Sequence, residues 1–124
     1  MTNMILSSPA LDPTPLFELF RGSYATELLT AAVAHFKLFS LVGEDGLKSG
    51  ELQAELKLAR RPFLVLTTAL QAMGLLKHGG NCFELTPLAA DHLLPGKAHF
   101  VGDYIGLAAE SPGVKEMVER LRTN

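Results

Sequence analysis

Apolar residues recur at spacings of three and four along the stretch that follows Thr14, which predicts a long amphipathic helix reaching about Leu41. Thr14 suits the N-cap, and Pro15 suits the first helical position. Gly22 interrupts the pattern and predicts a bend. Residues 1–13 show no such period, and we expect a flexible arm there. One face of the predicted helix carries Phe17, Phe20, Tyr24, Leu28, Ala31, Ala32 and Phe36.

A second helix followed by a β-hairpin is predicted over the stretch RRPFLVLTTALQAMGLLKHGGNCFEL. Pro62 fits the first helical position and Gly74 fits the position just past the end. The pair Gly79-Gly80 supplies the positive backbone angles of a tight turn between two strands. Phe83 and Leu85 alternate with polar neighbours, so we expect both to point inward. The apolar face of this helix consists of Phe63, Leu66, Leu70 and Met73.

Shorter elements are predicted on either side of this unit. Leu47 suits a very short strand, and Ser49 can cap the helix GELQAELKL. Thr86-Pro87 starts a helix over LAADHLL, which Pro95-Gly96 stops. Two further helical segments, HFVGDYIGLAAE and SPGVKEMVERLRTN, follow. The last of them places Val114, Met117, Val118 and Leu121 on one face.

The order of a helix followed by a hairpin matches the recognition helix and wing of a winged helix-turn-helix domain. We therefore predict a mainly α fold with a small β-hairpin and additional N- and C-terminal helices. The predicted winged-helix domain spans residues 14–94 and includes the long first helix. Residues 95–124 form the predicted C-terminal helices.

Composition narrows the class of protein. The chain has 124 residues, the length of one ordinary domain, and 48% of them are hydrophobic, which excludes a disordered chain. Cys82 is its single cysteine, so no disulfide can form within the chain and a reducing compartment is expected.

The N-terminus lacks the basic start of a signal peptide. The longest apolar-rich stretch, Phe63–Leu76, is too short and polar to span a bilayer. We expect a soluble, cytoplasmic protein.

DNA reading is the first function that the fold suggests. The outer side of the predicted recognition helix carries residues that could contact phosphates or base edges, namely Arg60, Arg61, Thr67, Thr68 and Gln71. However, Leu64 occupies the centre of that side, and the wing tip HGGN has no arginine. The net charge is −2, whereas a dedicated nucleic-acid binder is usually strongly basic. A stand-alone winged-helix transcriptional regulator remains the alternative function.

Catalytic and cofactor motifs give no candidate. The four histidines, His35, His78, His92 and His99, show no metal-ligand spacing, and we expect them to be surface or half-buried residues. Cys82 has no positioned base beside it. No glycine-rich turn joins a strand to a helix as a nucleotide site requires. The sequence therefore predicts no catalytic, cofactor-binding or metal-binding residue in this chain.

The order of motifs resembles a specific family. The segments PLFELFRGSYATELLTAAVAHFKLFSLV, ELQAEL, RRPFLVLTTALQAMGLLKHGGNCFELTPLAADHLL and VGDYIGLA are similar to the N-terminal dimerisation domain of SAM-dependent O-methyltransferases. That family includes caffeate-type, hydroxyindole-type and polyketide-type members. The resemblance covers the chain from about Pro15 to Arg122. The hairpin portion is shared with many winged-helix regulators, whereas the aromatic-rich first helix and the tail VKEMVERLRTN are more specific.

The resemblance implies a winged helix that no longer reads DNA, pairs with a second copy, and forms part of a lid over the substrate pocket. We expect the catalytic SAM-binding domain to lie outside these residues and this chain alone to be inactive. SAM and a small-molecule methyl acceptor are expected for the parent enzyme only. The expected partner is a second copy, with neither nucleic acid nor membrane.

Candidate interface residues are aromatic or apolar side chains that the winged core does not need, because contiguous patches of that kind usually mark an interface. They are Leu16, Phe17, Phe20, Tyr24, Met117 and Leu121. The candidate lid residues are Phe20, Tyr24, Tyr104 and Met117. For each lid residue, packing in the core is the alternative.

Overall fold

A computed structural model of the chain describes residues 11–16 and 25–123. The described part is mainly helical and contains one three-stranded antiparallel sheet, which confirms the predicted fold class. After a helical turn at 14–16, the helices are α1 (Ala25–Thr30, continued by a π-helical turn over Ala31–His35), α2 (Leu38–Val42), α3 (Ser49–Leu56), α4 (Arg60–Ala72), α5 (Pro87–His92), α6 (Gly102–Ile105, continued by a 3₁₀ turn over Gly106–Ala108) and α7 (Pro112–Thr123). The strands are β1 (Leu47–Lys48), β2 (Leu76–Gly79) and β3 (Cys82–Leu85).

The predicted first helix does not continue to Leu41. Its final turn is π-helical, with the Phe36 amide donating to the Ala31 carbonyl at 2.9 Å. Lys37 then adopts a left-handed conformation with φ of 52°, and α2 starts in a new direction. Because of this break, Leu38 and Phe39 turn into the core. Most of the early half of the predicted helix, 17–24, lies outside the described residues.

The hairpin prediction is confirmed, but its turn is displaced by one residue. Gly79 pairs with Cys82 as the last pair of the ladder, so the two-residue loop is Gly80-Asn81 instead of Gly79-Gly80. Gly80 has a φ of 60° and supplies the positive angle that the first loop position of a type II′ turn requires. The very short strand predicted at Leu47 is present as β1, and it pairs with the other side of β3.

The predicted helix starts shift by one or two residues. Lys48 occupies the N-cap of α3, so Ser49 is its first helical residue and does not cap it. Helix α4 begins at Arg60, which puts Pro62 in the third helical position. Gly74, just past the end of α4, has the left-handed φ of 79° expected at that site.

A single core joins all of these elements. Phe63 from α4 meets Phe83 from the central strand edge to face, with ring centres 6.0 Å apart and planes at 84°. On α7, Val114, Val118 and Leu121 are buried, which confirms the apolar face predicted for that helix. No helix in the described ranges combines the length and apolar character needed to cross a membrane.

Thr86 ties the end of α4 to the start of α5. Its hydroxyl donates to the Gly74 carbonyl at 2.7 Å and accepts from the Ala89 amide at 3.3 Å. The second bond is an N-cap, and Pro87 occupies the first helical position, as predicted. The helix ends at His92, before the Pro95-Gly96 stop that the sequence suggested.

Thr86→Ala is expected to destabilise the protein by about 1–2 kcal/mol, because both hydroxyl bonds disappear together. The matched control, Thr86→Ser, keeps the hydroxyl and removes only a methyl group. Urea unfolding followed by circular dichroism measures both. Equal losses for the two variants would show that the hydroxyl does not link the two helices.

Candidate interaction surface

The candidate interface residues occupy different environments. Leu16 is fully buried and Leu121 nearly so, and both belong to the core of their own chain. Met117 packs against that core but stays partly exposed on α7. Phe17, Phe20 and Tyr24 lie outside the described residues. Of the described candidates, Met117 is therefore the one with side-chain surface left for a partner.

Met117 lies where two open grooves meet. The first groove has a volume of about 390 Å³ and runs between α4 and α7. The second has a volume of about 310 Å³ and runs between α1 and α7. Together they are lined by Glu27, Arg61, Pro62, Val65, Gly113, Glu116, Met117, Arg120 and Leu121, which we call the Met117 surface.

The Met117 surface has an apolar centre between charged groups. Val65 and Met117 are its exposed or half-exposed apolar members, and Arg61 lies on the α4 side. Glu27 lies on the α1 side. On α7, Glu116 lies one helical turn before Arg120. Arg120 donates to the Glu116 carboxylate through Nη2 at 2.8 Å and through Nε at 3.1 Å.

Helices α1 and α7 approach closely at Gly113. A methyl group added there would lie 3.2 Å from both Cγ and Oε2 of Glu27. That distance is shorter than an ordinary van der Waals contact, so the glycine allows the Glu27 side chain to lie against the first turn of α7. The acidic end of the Met117 surface depends on this approach.

The outer side of α4 is unlike that of a DNA-reading helix. Leu64 is 43% exposed and Val65 is 52% exposed. Thr67, a candidate base-contacting residue, is buried, and its hydroxyl donates to the Phe63 carbonyl at 2.9 Å. The Gln71 amide donates to the Thr67 carbonyl at 3.2 Å. The predicted polar stripe is therefore broken by apolar side chains and by internal hydrogen bonds.

Tyr104, the remaining lid candidate, lies on α6 and is 47% exposed. It lines neither groove of the Met117 surface, so the structure does not bring it together with Met117 there. Leu107, three residues later, is 79% exposed and borders a cleft of about 480 Å³ between α6 and the π-helical turn. The sequence pattern did not single out Leu107, because an apolar residue in a short irregular helix has no periodic face to mark it.

One of the four histidines, His92, departs from the surface or half-buried placement expected of them. His35 is half-buried as expected, and its Nε2 lies 2.7 Å from the Ala109 carbonyl oxygen. His92 is fully buried, which corrects the sequence prediction. Its two ring nitrogens face the carbonyl oxygens of His99 and Leu11.

The described residues form neither a metal-binding site nor a cofactor-binding site. No three histidine, cysteine or acidic side chains of residues 11–16 and 25–123 lie close enough to hold a metal ion. A SAM site of the Rossmann type needs a glycine-rich turn between a parallel strand and a helix. The described sheet is antiparallel with strands of two to four residues, and the described groups do not fit SAM.

Comparisons with known proteins place this fold among methyltransferases. No family model matches the chain. Over 114 residues it is 32% identical to 3-hydroxy-5-methyl-1-naphthoate 3-O-methyltransferase of Streptomyces sahachiroi. This alignment covers 90% of this chain and 33% of that enzyme. An O-methyltransferase family 2 protein from Planctomyces limnophilus DSM 3776, solved in complex with apigenin, is 47% identical with a TM-score of 0.79. That match covers 96% of this chain and 36% of the other.

A more distant structure shares the fold alone. Human N-acetylserotonin methyltransferase in complex with SAM aligns with a TM-score of 0.61 at 16% identity. The match covers 87% of this chain and 33% of the human protein. In all three comparisons the chain spans about a third of the length of its relative.

The described structure is thus a mainly helical, winged-helix-like domain. The chain is similar to O-methyltransferase family 2 proteins over about a third of their length, which confirms the resemblance found in the sequence. The alternative of a DNA-binding regulator finds no support in these relatives or in the outer side of α4.

Replacing the exposed apolar pair on α4 is expected to leave folding nearly unchanged. Leu64→Gln and Val65→Thr should each alter the free energy of unfolding by less than about 0.5 kcal/mol, because neither side chain is buried. Leu66→Ala, in the adjoining buried position, should cost about 2–5 kcal/mol. Urea unfolding at low protein concentration checks this. A large loss for Leu64→Gln or Val65→Thr would place those residues in the core of the monomer.

Proposed function

We propose that this chain is the dimerisation and substrate-lid domain of a SAM-dependent O-methyltransferase. The observation that carries the proposal is the match to one third of the Planctomyces limnophilus protein at 47% identity and a TM-score of 0.79. The described residues form no cofactor-binding site. The size, the fold and the relatives of this domain therefore suit the part of the enzyme that joins two subunits and covers the substrate site.

The Met117 surface supports pairing with a second copy. Val65 and Met117 offer an apolar centre, which is the usual composition at the middle of a protein interface. Arg61 lies on one side of that centre and Glu27 on the other. A twofold axis through the centre would bring Arg61 of each copy toward Glu27 of the other, because an isologous interface places the same patch against itself. The charge pattern is therefore self-complementary.

The lid role rests on the α6 segment. Tyr104 and Leu107 present exposed apolar surface beside an open cleft, and Leu107 lines that cleft. Among the relatives, one is named for a hydroxylated naphthoate and another was solved with apigenin. We propose that the methyl acceptor of the parent enzyme is a small hydroxylated aromatic compound and that this segment contacts its apolar part.

SAM belongs to the parent enzyme in this proposal and not to the described residues. When bound there, it would supply the methyl group for transfer to the acceptor hydroxyl. The described residues would contribute assembly of the two subunits and exclusion of water above the acceptor. We further propose that the protein works in the cytoplasm, as expected from its single cysteine.

Light scattering at micromolar concentration should give a mass of twice 13.4 kDa. Met117→Lys should weaken the dimer at least about tenfold, because it places a charged group in the apolar centre of the proposed interface. Ala54→Lys adds the same charge to an exposed position of α3 outside both grooves and should leave the dimer intact. A compact 13.4 kDa monomer for the unsubstituted chain would contradict the dimer.

Calorimetric titration of this chain with SAM should show no heat of binding, since the described residues do not form a cradle for it. Human N-acetylserotonin methyltransferase, whose structure contains SAM, serves as the positive control. A micromolar site on this chain would overturn the division of roles proposed above and leave the dimer prediction untouched.

A further inference from the structure

The cleft beside α6 lies between two short irregular turns. Val33 and Ala34 line it from the π-helical turn that continues α1, and Gly106 and Leu107 line it from the 3₁₀ turn that continues α6. A methyl group added at Gly106 would lie 4.0 Å from Cβ of Ala34, so small residues let the two turns approach closely. The cleft volume of about 480 Å³ lies within the range of about 300–1,000 Å³ that is typical of small-molecule sites.

An aromatic ring forms part of the cleft wall. Phe100 lies near the end of the loop that joins α5 to α6, and it lines the cleft. A Cβ atom at Gly102 would overlap the Phe100 ring, so the ring lies against the backbone only because residue 102 has no side chain. Leu107, 79% exposed, adds apolar surface. A planar apolar ligand would therefore meet both an aromatic ring and an aliphatic side chain.

Lys37 supplies a positive charge to this cleft. Its side chain is exposed, and it takes part in none of the ion pairs within residues 11–16 and 25–123. Lys97, in the loop that carries Phe100, is by contrast paired with Glu44 at 2.7 Å. The ammonium group of Lys37 is therefore available to a ligand, whereas that of Lys97 already has a carboxylate partner.

The backbone at Lys37 has an unusual conformation. Its φ of 52° is left-handed, which costs free energy for a residue that has a side chain. The π-helical turn ends two residues earlier, and such turns are frequent at functional sites. Both irregular features border the same cleft, which favours a functional role for the residues that line it.

Two further polar side chains narrow the chemistry of the ligand. Ser40 lies three residues after Lys37 and lines the cleft, where its hydroxyl can donate a hydrogen bond. Asp103 lines the cleft from α6 and forms no ion pair with Lys37. One ammonium group and one hydroxyl suit a single carboxylate. The Asp103 carboxylate disfavours a ligand with a second negative charge, such as a phosphate.

We infer that this cleft binds a singly charged aromatic carboxylate, with Lys37 and Ser40 on the carboxylate and with Phe100 and Leu107 against the ring. The inference rests on the proposed function, because such a compound is the methyl acceptor only if this chain covers the site of an O-methyltransferase. It goes beyond that proposal by making the acceptor an acid and by assigning the selection of that acid to Lys37.

Titration of this chain with para-hydroxycinnamate, followed by amide chemical shifts in nitrogen-15 spectra, tests the cleft. The shifts should concentrate at residues that line it, among them Ala34, Ser40 and Gly106. The uncharged amide of the same acid should bind on the order of tenfold more weakly, because a hydrogen bond to a charged group contributes more than one between neutral groups. No saturable shift with the acid at millimolar concentration, or equal affinities for acid and amide, would overturn the inference.

Variants separate Lys37 from the other lysines. Lys37→Gln should weaken binding of the acid on the order of tenfold and leave the affinity for the amide unchanged. Lys37→Arg keeps the charge and should retain binding of the acid. Lys57→Gln is the matched control, because Lys57 is also exposed and left-handed, with a φ of 58°, but does not line the cleft.

Equal losses for Lys37→Gln and Lys57→Gln would contradict the selection of the acid by Lys37. Failure of any of these binding tests leaves the dimer prediction untouched. A monomer in light scattering would contradict the assembly role, and the comparison of acid with amide would still decide whether the cleft selects a carboxylate.

Discussion

The contact between Phe63 and Phe83 is the one on which the rest of the arrangement depends. Phe83 lies on the central strand, where it pairs with Leu47 on one side and with His78 on the other. Its ring also stacks on His78 with centres 4.3 Å apart. The edge-to-face contact with Phe63 therefore fixes α4 against all three strands at once. The direction of α4 in turn decides which of its side chains face outward, and so decides the composition of the Met117 surface.

Local chemistry explains which parts of the fold could be predicted. Gly74 ends a helix and Thr86 with Pro87 starts one because of backbone requirements that only a few residue types meet. The sequence prediction placed the turn between β2 and β3 one residue too early, because each of the two adjacent glycines can adopt the positive φ that the turn requires. The strand register, set by the Phe83 and Leu85 side chains that enter the core, puts the loop at Gly80-Asn81. The break at Lys37 had no signal, because a lysine is an unusual residue for a left-handed position.

The candidate site was predictable only in part, for a different reason. An apolar helix face indicates burial without saying whether the covering surface is the same chain or a partner. Leu121 and Met117 share one face of α7, yet Leu121 is buried in its own core and Met117 remains partly open. The distinction depends on where α4 crosses α7, which is a property of the tertiary arrangement. The burial of His92 was hidden in the same way, since its carbonyl partners come from distant segments.

The Met117 surface has a consequence for folding itself. Its residues come from three separate helices, Glu27 from α1, Arg61 and Val65 from α4, and Met117 from α7. Such a surface exists only after those helices have docked, so any molecule that binds it recognises the native chain and not the unfolded one. By linkage, that binding raises the apparent stability of the domain with the concentration of the binding molecule. The thermal midpoint of this domain is therefore a property of its surroundings as well as of its sequence.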